Sequence, residues 1–378
     1  MNYEIAVIPG DGIGPEVVAE ALKAVRLASS IFGFAIKEKT LPFGGGYYLK
    51  NKVVLPPGAL DEMGAADALL LGAVGDPQVP PGPLERELLL ELRFHFDQYL
   101  NLRPAKSLPG VPLPIILKPG AAIDIMVVRE NTEGFYMGLG GRIKAGRHKE
   151  PTGTKRRLYA LSGEVDLRLD PPVDGAFAMG MLTAPAIDRV AVKAFELARA
   201  RGDSKIHVAT KANALPAYYG FWDEEVLKTA QRYPEIQPVR INIDNLCYQL
   251  PRNPAPYGVI LAPNLFGDIV SDLLSALSGG LGMAASGNIG DSLCMFEPIH
   301  GSAPVLVGTG RANPLAAILS SAMMLEHLGQ REAAEAVREA VVGALNSGEL
   351  PIELGGKAPC PRVGELVVEA LKARAARA

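Results

Sequence analysis

Asp268 and Asp272, in the run NLFGDIVSD, stand four residues apart and so share one face of a helix. Two carboxylates at that spacing repel unless solvent or a cation lies between them, and hard oxygen ligands suit Mg2+ or Mn2+. A solvated helix start, with Asp268 near the favourable end of the helix dipole, accounts for the pair equally well. Arg93 and Arg103 bracket LRFHFDQYLNLRP, and Arg129 follows an apolar run in VVRENTEG. Guanidinium groups recognise carboxylates through paired hydrogen bonds, although any one of the three also reads as a surface arginine. Tyr136, seven residues beyond Arg129, carries a hydroxyl able to deliver a proton. Lys211, in ATKANAL, follows a buried-looking run, where desolvation would lower its pKa toward use as a base. Either side chain reads as well as an amphipathic group at the edge of a core.

Gly10, Gly12 and Gly14, in IPGDGIGPEV, permit close approach of backbone to phosphate at a helix N-terminus. The dinucleotide fingerprint needs its third glycine one position later, where Pro15 stands, a residue suited to a first helical turn. A plain turn and helix start explains the glycines as well. A Rossmann oxidoreductase using these glycines with Glu38 is disfavoured by the spacing.

The elements that must position these residues alternate along the chain. Strand patterns at 3–8, 35–39, 68–71, 124–128, 205–209 and 259–261 are interleaved with helical ones, as over 14–25, where Val17, Val18, Ala21 and Val25 recur at helical spacing. Helices are also expected over 84–94 and 183–201, and the chain after Asn264 reads as mainly helical apart from a loop at 297–314. Such alternation predicts an α/β fold with parallel strands. Residues 138–147 are rich in glycine and basic side chains, and the alternation over 158–177 suits an extended arm reaching a neighbouring subunit.

The length of 378 residues suits two domains. No apolar run is long enough to span a bilayer, and the first residues pass straight into a strand pattern without a signal-peptide profile, so no membrane association and a cytoplasmic location are expected. Cys247, Cys294 and Cys360 are scattered and form neither a disulfide framework nor a zinc site. A net charge of −3, with both signs intermixed, argues against nucleic acid as a partner.

Taken together, GDGIGPEV, LLLGAVGDP, LLxxLR followed by NLRP, VVRENTEG with its tyrosine, TKAN, NLFGDIVSD, FEPIHGSAP and GRANP occur in the order in which the isocitrate and isopropylmalate dehydrogenase family carries them. The chain resembles that family over essentially its whole length. The resemblance implies an α/β, isopropylmalate dehydrogenase-like fold of two lobes that is not the Rossmann type. Residues 1–100 with 253–378 would form the cofactor-binding lobe, and 101–252 the substrate and dimerisation lobe with an arm at about 137–180. It also implies a homodimer with shared active sites, acting on a small-molecule substrate. By motif match, Arg93, Arg103 and Arg129 would hold substrate carboxylates, with Leu89 and Leu90 against the group on C3. Asp268 and Asp272, with Asp244 from the other subunit, would bind Mg2+ or Mn2+. Lys211, also lent by the partner, would act as base and Tyr136 as acid. Ile13, Asn213, Glu297, His300, Gly301, Ser302, Ala303, Val305 and Asn313 would meet NAD.

The implied reaction is oxidation of a (2R)-hydroxy diacid followed by loss of its β-carboxylate. The segment GDPQVPPGPLERELLLELRF looks like isopropylmalate dehydrogenases, whereas FDQYLNLRP, VRENTEGFY, FWDEEV and IDNLC look closer to tartrate and D-malate dehydrogenases. 3-Isopropylmalate is the leading expectation. Arg86, if it faces the substrate, would instead suit an isocitrate or homoisocitrate type. At the position after HGSAP, where NAD-using members usually carry aspartate, this chain has Val305, followed by Leu306 in place of the NADP-type lysine and tyrosine. Loss of that carboxylate predicts weakened discrimination between NAD and NADP, with Arg311 near enough in sequence to approach a 2′-phosphate. A catalytically silent regulatory homologue is the alternative from a different class, opposed by the retention of every matched acid, base and metal ligand.

Overall fold

A computed structural model describes residues 1–376, which divide into two compact units. Among the described residues, unit 1 comprises 1–126, 250–255 and 271 onward, and unit 2 comprises Val127–Gln249 and Pro256–Val270.

Unit 1 contains the strands β1 (Asn2–Gly10), β2 (Ala35–Thr40), β3 (Ala68–Ala73), β4 (Leu100–Lys106), β13 (Ala285–Ile289) and β14 (Met295–Pro298). They lie in the order β2-β1-β3-β14-β13-β4. The pairs β1/β2, β1/β3 and β14/β3 are parallel, whereas β13 runs antiparallel to both β14 and β4. β3 (ALLLGA) is buried at every position, as a strand covered on both faces must be. Its residues divide by the two-residue period of a strand: Ala68 and Leu70 enter one core, Leu69 and Leu71 the other. Ile5 and Val7 of β1 join the first core, and Ala6 and Ile8 the second.

The first core is closed by helices α1 (Gly14–Phe32), α9 (Leu315–His327), α10 (Arg331–Leu345) and α11 (Cys360–Ala375). α1 starts on Pro15 and stops at Gly33, whose φ of 74° supplies the left-handed C-cap. Its Val17, Val18, Ala21 and Val25 are all buried, as their spacing predicts. The second core lies under α2 (Gly45–Asn51), α3 (Ala59–Gly64) and α4 (Glu91–His95). The helix expected over 84–94 is present but begins with a widened π-type stretch over 85–90 before α4. That stretch sets Leu88 and Leu92 wholly inside the core; truncating either to alanine would cost about 2–5 kcal/mol.

Unit 2 holds β10 (Lys205–Thr210) between β11 (Gln237–Asn242) and β12 (Val259–Ala262), all parallel. They pack with α5 (Ala184–Arg201) and α6 (Pro216–Ala230) around Trp222, Tyr219 and Phe195, the last stacked on Tyr233 at 5.0 Å. The segment expected to be extended forms β6 (Gly134–Ile143), β7 (Arg147–Lys155), β8 (Ala160–Arg168) and β9 (Gly175–Met181). They pair antiparallel as β6/β9 and β7/β8. The chain passes from unit 1 to unit 2 inside β5 (Asp124–Glu130), and α7 (Ile243–Arg252) and α8 (Asn264–Leu277) also contain unit boundaries.

The strands β4, β11, β13 and β14 stand where the sequence patterns give none. β13 and β14 lie where only helix and loop are read, because ASGNI is composed largely of turn-favouring residues. Its pairing on both sides overrides that local preference. The three cysteines are free, as expected. No helix among the described residues is long and apolar enough to cross a membrane.

Candidate active site residues

In unit 2 the end of β5, the start of β6 and the start of α8 bring together Arg129, Tyr136 and Asp268, three residues that lie as far as 139 positions apart in sequence. Arg129 is 1% exposed and therefore needs partners for its charge. Nη1 donates to Asp268 Oδ1 at 2.5 Å, while Nε and Nη2 both donate to Asn264 Oδ1 at 3.1 and 2.7 Å. Gly267 makes room for it, since a Cβ there would meet Arg129 Cγ at 2.6 Å. The Tyr136 hydroxyl donates to the other carboxylate oxygen, Asp268 Oδ2, at 2.5 Å, and the guanidinium stands 5.2 Å from the Tyr136 ring centre.

The loop behind this cluster is built from two buried carboxylates that sequence reading overlooked, although both lie inside the VVRENTEG motif. Glu130 folds back to accept from the Thr132 backbone N–H and hydroxyl at 2.8 and 2.9 Å. Glu133 accepts from the Thr183 backbone N–H and hydroxyl, each at 2.7 Å, which ties the loop to the start of α5. Burial raises both pKa values, and for Glu133 the neighbouring Glu130 charge adds to it, up to about 7. The Glu133 carbonyl in turn accepts from Asn264 Nδ2 at 3.0 Å, which connects the loop to the Arg129 cluster.

Lys211 and Asp244 form a pair of their own, Nζ to Oδ1 at 2.7 Å. This hydrogen bond lowers the Asp244 pKa. Lys211, at the end of β10, is thus half-buried with a carboxylate partner. Asn213 is exposed on the same loop.

In unit 1, Arg103 of β4 is 6% exposed and donates from Nη1 to Ser271 Oγ at 2.7 Å, with Asp272 Oδ1 at 3.5 Å. Arg93 of α4, 9% exposed, reaches Glu297 Oε1 through Nη2 at 3.1 Å. Leu89 packs at the edge of the second core and Leu90 is half-buried. Arg86 is exposed, with its guanidinium lying over Gly82.

The glycine motif has a packing role. The carbonyl of Ser302 accepts from the Ile13 backbone N–H at 2.9 Å, and a Cβ on Gly12 would stand 1.9 Å from that carbonyl oxygen. A Cβ on Gly14 would meet the Pro9 carbonyl at 2.2 Å. The glycines therefore let the 300–304 loop lie on the turn after β1. Asp11 secures the same region by accepting from the backbone N–H groups of Gly45, Gly46 and Gly75 at 2.8, 3.2 and 2.9 Å. Glu38, which a Rossmann reading would assign to a ribose, is bound by Arg26 through Nε and Nη2 at 2.7 and 2.5 Å.

Around this loop, His300 Nδ1 contacts the Gly301 carbonyl at 3.0 Å, and burial lowers the His300 pKa. Its Nε2 is buried without a partner, and Gly301 faces open space. Ala303 takes a φ of 40°. Asn313 donates to Glu353 Oε2 at 3.0 Å, another carboxylate not anticipated from sequence. Val305 is 87% exposed, and Arg311 is exposed as well. An unpartnered buried nitrogen beside open backbone fits a loop that receives a ligand.

Among the described residues no group of three or more His, Cys, Asp or Glu side chains is placed to hold a metal ion. Asp268 and Asp272, one turn apart on α8, are two hard oxygen donors of the kind that Mg2+ and Mn2+ take.

A family model described as isocitrate/isopropylmalate dehydrogenase matches residues 4–367. The chain belongs to this family. A 3-isopropylmalate dehydrogenase from Streptomyces coelicolor is 43% identical over 356 residues, 93% of this chain and 94% of that one. Another from Clavibacter michiganensis is 39% identical over 381 residues, covering 98% of both. Among solved structures, isocitrate dehydrogenase from Methylococcus capsulatus matches with a TM-score of 0.84 at 30% identity, covering 98% of this chain and 99% of that one. A β-decarboxylating dehydrogenase from Thermococcus kodakarensis, in its apo form, matches with a TM-score of 0.73 at 33% identity, covering 98% and 96%. The mixed α/β fold expected from the resemblance is thus the fold of the family, with its residues in the arrangement just described.

Proposed function

We propose that the protein catalyses the oxidative decarboxylation of 3-isopropylmalate to 4-methyl-2-oxopentanoate with reduction of NAD, as a homodimer in the cytoplasm. The observation that carries the chemistry is the Arg129–Asp268–Tyr136 cluster, and the substrate is supported by the names of the relatives at about 40% identity. In this reading Arg93, Arg103 and Arg129 bind the two carboxylates of the diacid by charge-assisted hydrogen bonds. Leu89 and Leu90 meet its isopropyl group. Lys211, from the second subunit, takes the hydroxyl proton, and the Tyr136 hydroxyl later delivers one to the enol carbon. Asp268, Asp272 and the second subunit's Asp244 would hold a divalent cation, which when bound supplies Lewis acidity at the hydroxyl and charge stabilisation during loss of CO2. Ile13, Asn213, Glu297, His300 to Ala303, Val305 and Asn313 would receive NAD, which when bound accepts the hydride. With Val305 exposed and no carboxylate at that position, NAD is preferred over NADP only weakly.

Steady-state assays with isopropylmalate, D-malate, tartrate, isocitrate and homoisocitrate, each with NAD and NADP and with Mn2+ or a chelator, test the proposal. The expected result is the highest kcat/KM for isopropylmalate, with activity lost in chelator. A clear advantage for D-malate or tartrate would overturn the substrate assignment. A folded protein that turns over none of them would favour the silent homologue.

A further inference from the structure

Asn101 on β4 and Asn288 on β13 face each other directly across the two strands, and both are fully buried. Asn288 is also paired with Met295 of β14, so Glu297, two residues further on, is its diagonal neighbour on the same face. Asn101 Nδ2 lies 2.8 Å from Ser286 Oγ and 3.1 Å from Asn288 Oδ1. Asn288 Nδ2 donates to Glu297 Oε1 at 2.7 Å, and the same oxygen receives Arg93 Nη2 at 3.1 Å.

The direction of this chain is fixed by chemistry. An ionised Glu297 only accepts, so Asn288 must turn its amide N–H to the carboxylate and its carbonyl oxygen to Asn101. Asn101 must then present its own N–H. Buried amides carry a desolvation cost that their hydrogen bonds only about offset, and apolar side chains of like volume would serve the sheet as well. Leu100, Leu102, Met295 and Phe296 occupy neighbouring positions on these strands. The polar line is better explained by what stands at its end.

We infer that Asn288 is a positioning residue: braced by Asn101, it holds Glu297 Oε1 so that Glu297 orients the Arg93 guanidinium toward a carboxylate of the substrate. Glu297 lies three residues before His300, so the brace that aims Arg93 also fixes the strand that leads into the 300–304 loop. The inference rests on the proposed role of Arg93 in binding the diacid.

Asn288→Leu fills the space without a donor, and Asn288→Ser is smaller but can donate. Substrate KM should rise about tenfold in Asn288→Leu, the loss of one hydrogen bond to a charged group, with kcat nearly unchanged. Asn288→Ser should stay closer to wild type despite its cavity. Asn101→Leu, which removes the brace without touching Glu297 or Arg93, should shift KM in the same direction by less, and keeps the test open should Asn288→Leu misfold. A KM unchanged in both leucine variants, or Asn288→Ser worse than Asn288→Leu as simple packing requires, would overturn the inference. The Arg93 Nε resonance in 15N NMR, assigned with Arg93→Lys, reads the same geometry without ligand. It should move in Asn288→Leu and stay near wild type in Asn288→Ser, and an unmoved resonance counts against the inference. Wild-type protein inactive on every diacid, with that resonance behaving as expected, would sink the proposed function and leave the brace standing.

Discussion

The loops around 300–304 in unit 1 and the Arg129 cluster in unit 2 are held in opposite ways. The first rests largely on backbone: the Ser302 carbonyl against Ile13, close approach at Gly12, and three backbone N–H groups on Asp11. The second rests on charged side chains in poor solvent, where Arg129, Asp268, Tyr136, Glu130 and Glu133 satisfy one another or nearby backbone. A site built largely on backbone contacts tolerates little change of shape. A site built from buried charge tolerates shape better and is sensitive to any change of ionisation.

The sharpest way to break this contrast is Asp268→Asn, which keeps the shape of the cluster and removes its charge. Turnover should fall at least about a hundredfold, and urea unfolding should show a loss of about 3 kcal/mol, because the buried guanidinium loses its counter-charge. A variant as stable as wild type would mean that the charge balance is not what holds the cluster. Next in size is Gly12→Ala, which changes shape and no charge. With a φ of 60° and a carbonyl oxygen 1.9 Å from the new Cβ, it should cost about 2 kcal/mol and weaken NAD binding in calorimetry. Gly46→Ala, where a Cβ meets nothing within 4 Å, is the control and should be neutral or slightly stabilising.

The pH response sharpens the comparison further. Glu133 has a folded pKa raised to about 7 from 4.5. The folded state therefore keeps a proton that the unfolded chain has already released, and the stability from this group is complete below pH 4.5 and lost as pH rises through 7. Over that window unfolding free energy should fall by up to about 1.4 kcal/mol per pH unit, and Glu133→Gln should flatten the slope. Urea melts from pH 4.5 to 8 on both proteins check this, and equal slopes would show that Glu133 is ionised throughout.

What sequence made legible follows the same division. Long apolar runs such as ALLLGA and the periodic valines of α1 identify their own elements, since burial and period determine them locally. β13 was hidden because Ser286, Gly287 and Asn288 are turn formers whose strand conformation depends on the two neighbours they pair with. The glycines after β1 suggest close approach, but only the fold reveals that the approaching group is the Ser302 carbonyl. The roles of Asn264, Glu133 and Glu353 as partners were equally out of reach, because each is defined by a residue 40 to 135 positions away. Motif resemblance found Arg129, Tyr136 and Asp268 without knowing that they touch.

Val305 supports nothing around it: at 87% exposure, its side chain anchors neither the turn after β1 nor the helices behind the loop. Substitution there should change stability by no more than about 0.5 kcal/mol, and under the proposed function it is the position at which the choice between NAD and NADP would be altered. On that reading an engineer can vary this one side chain while the buried scaffold beneath it stays as it is.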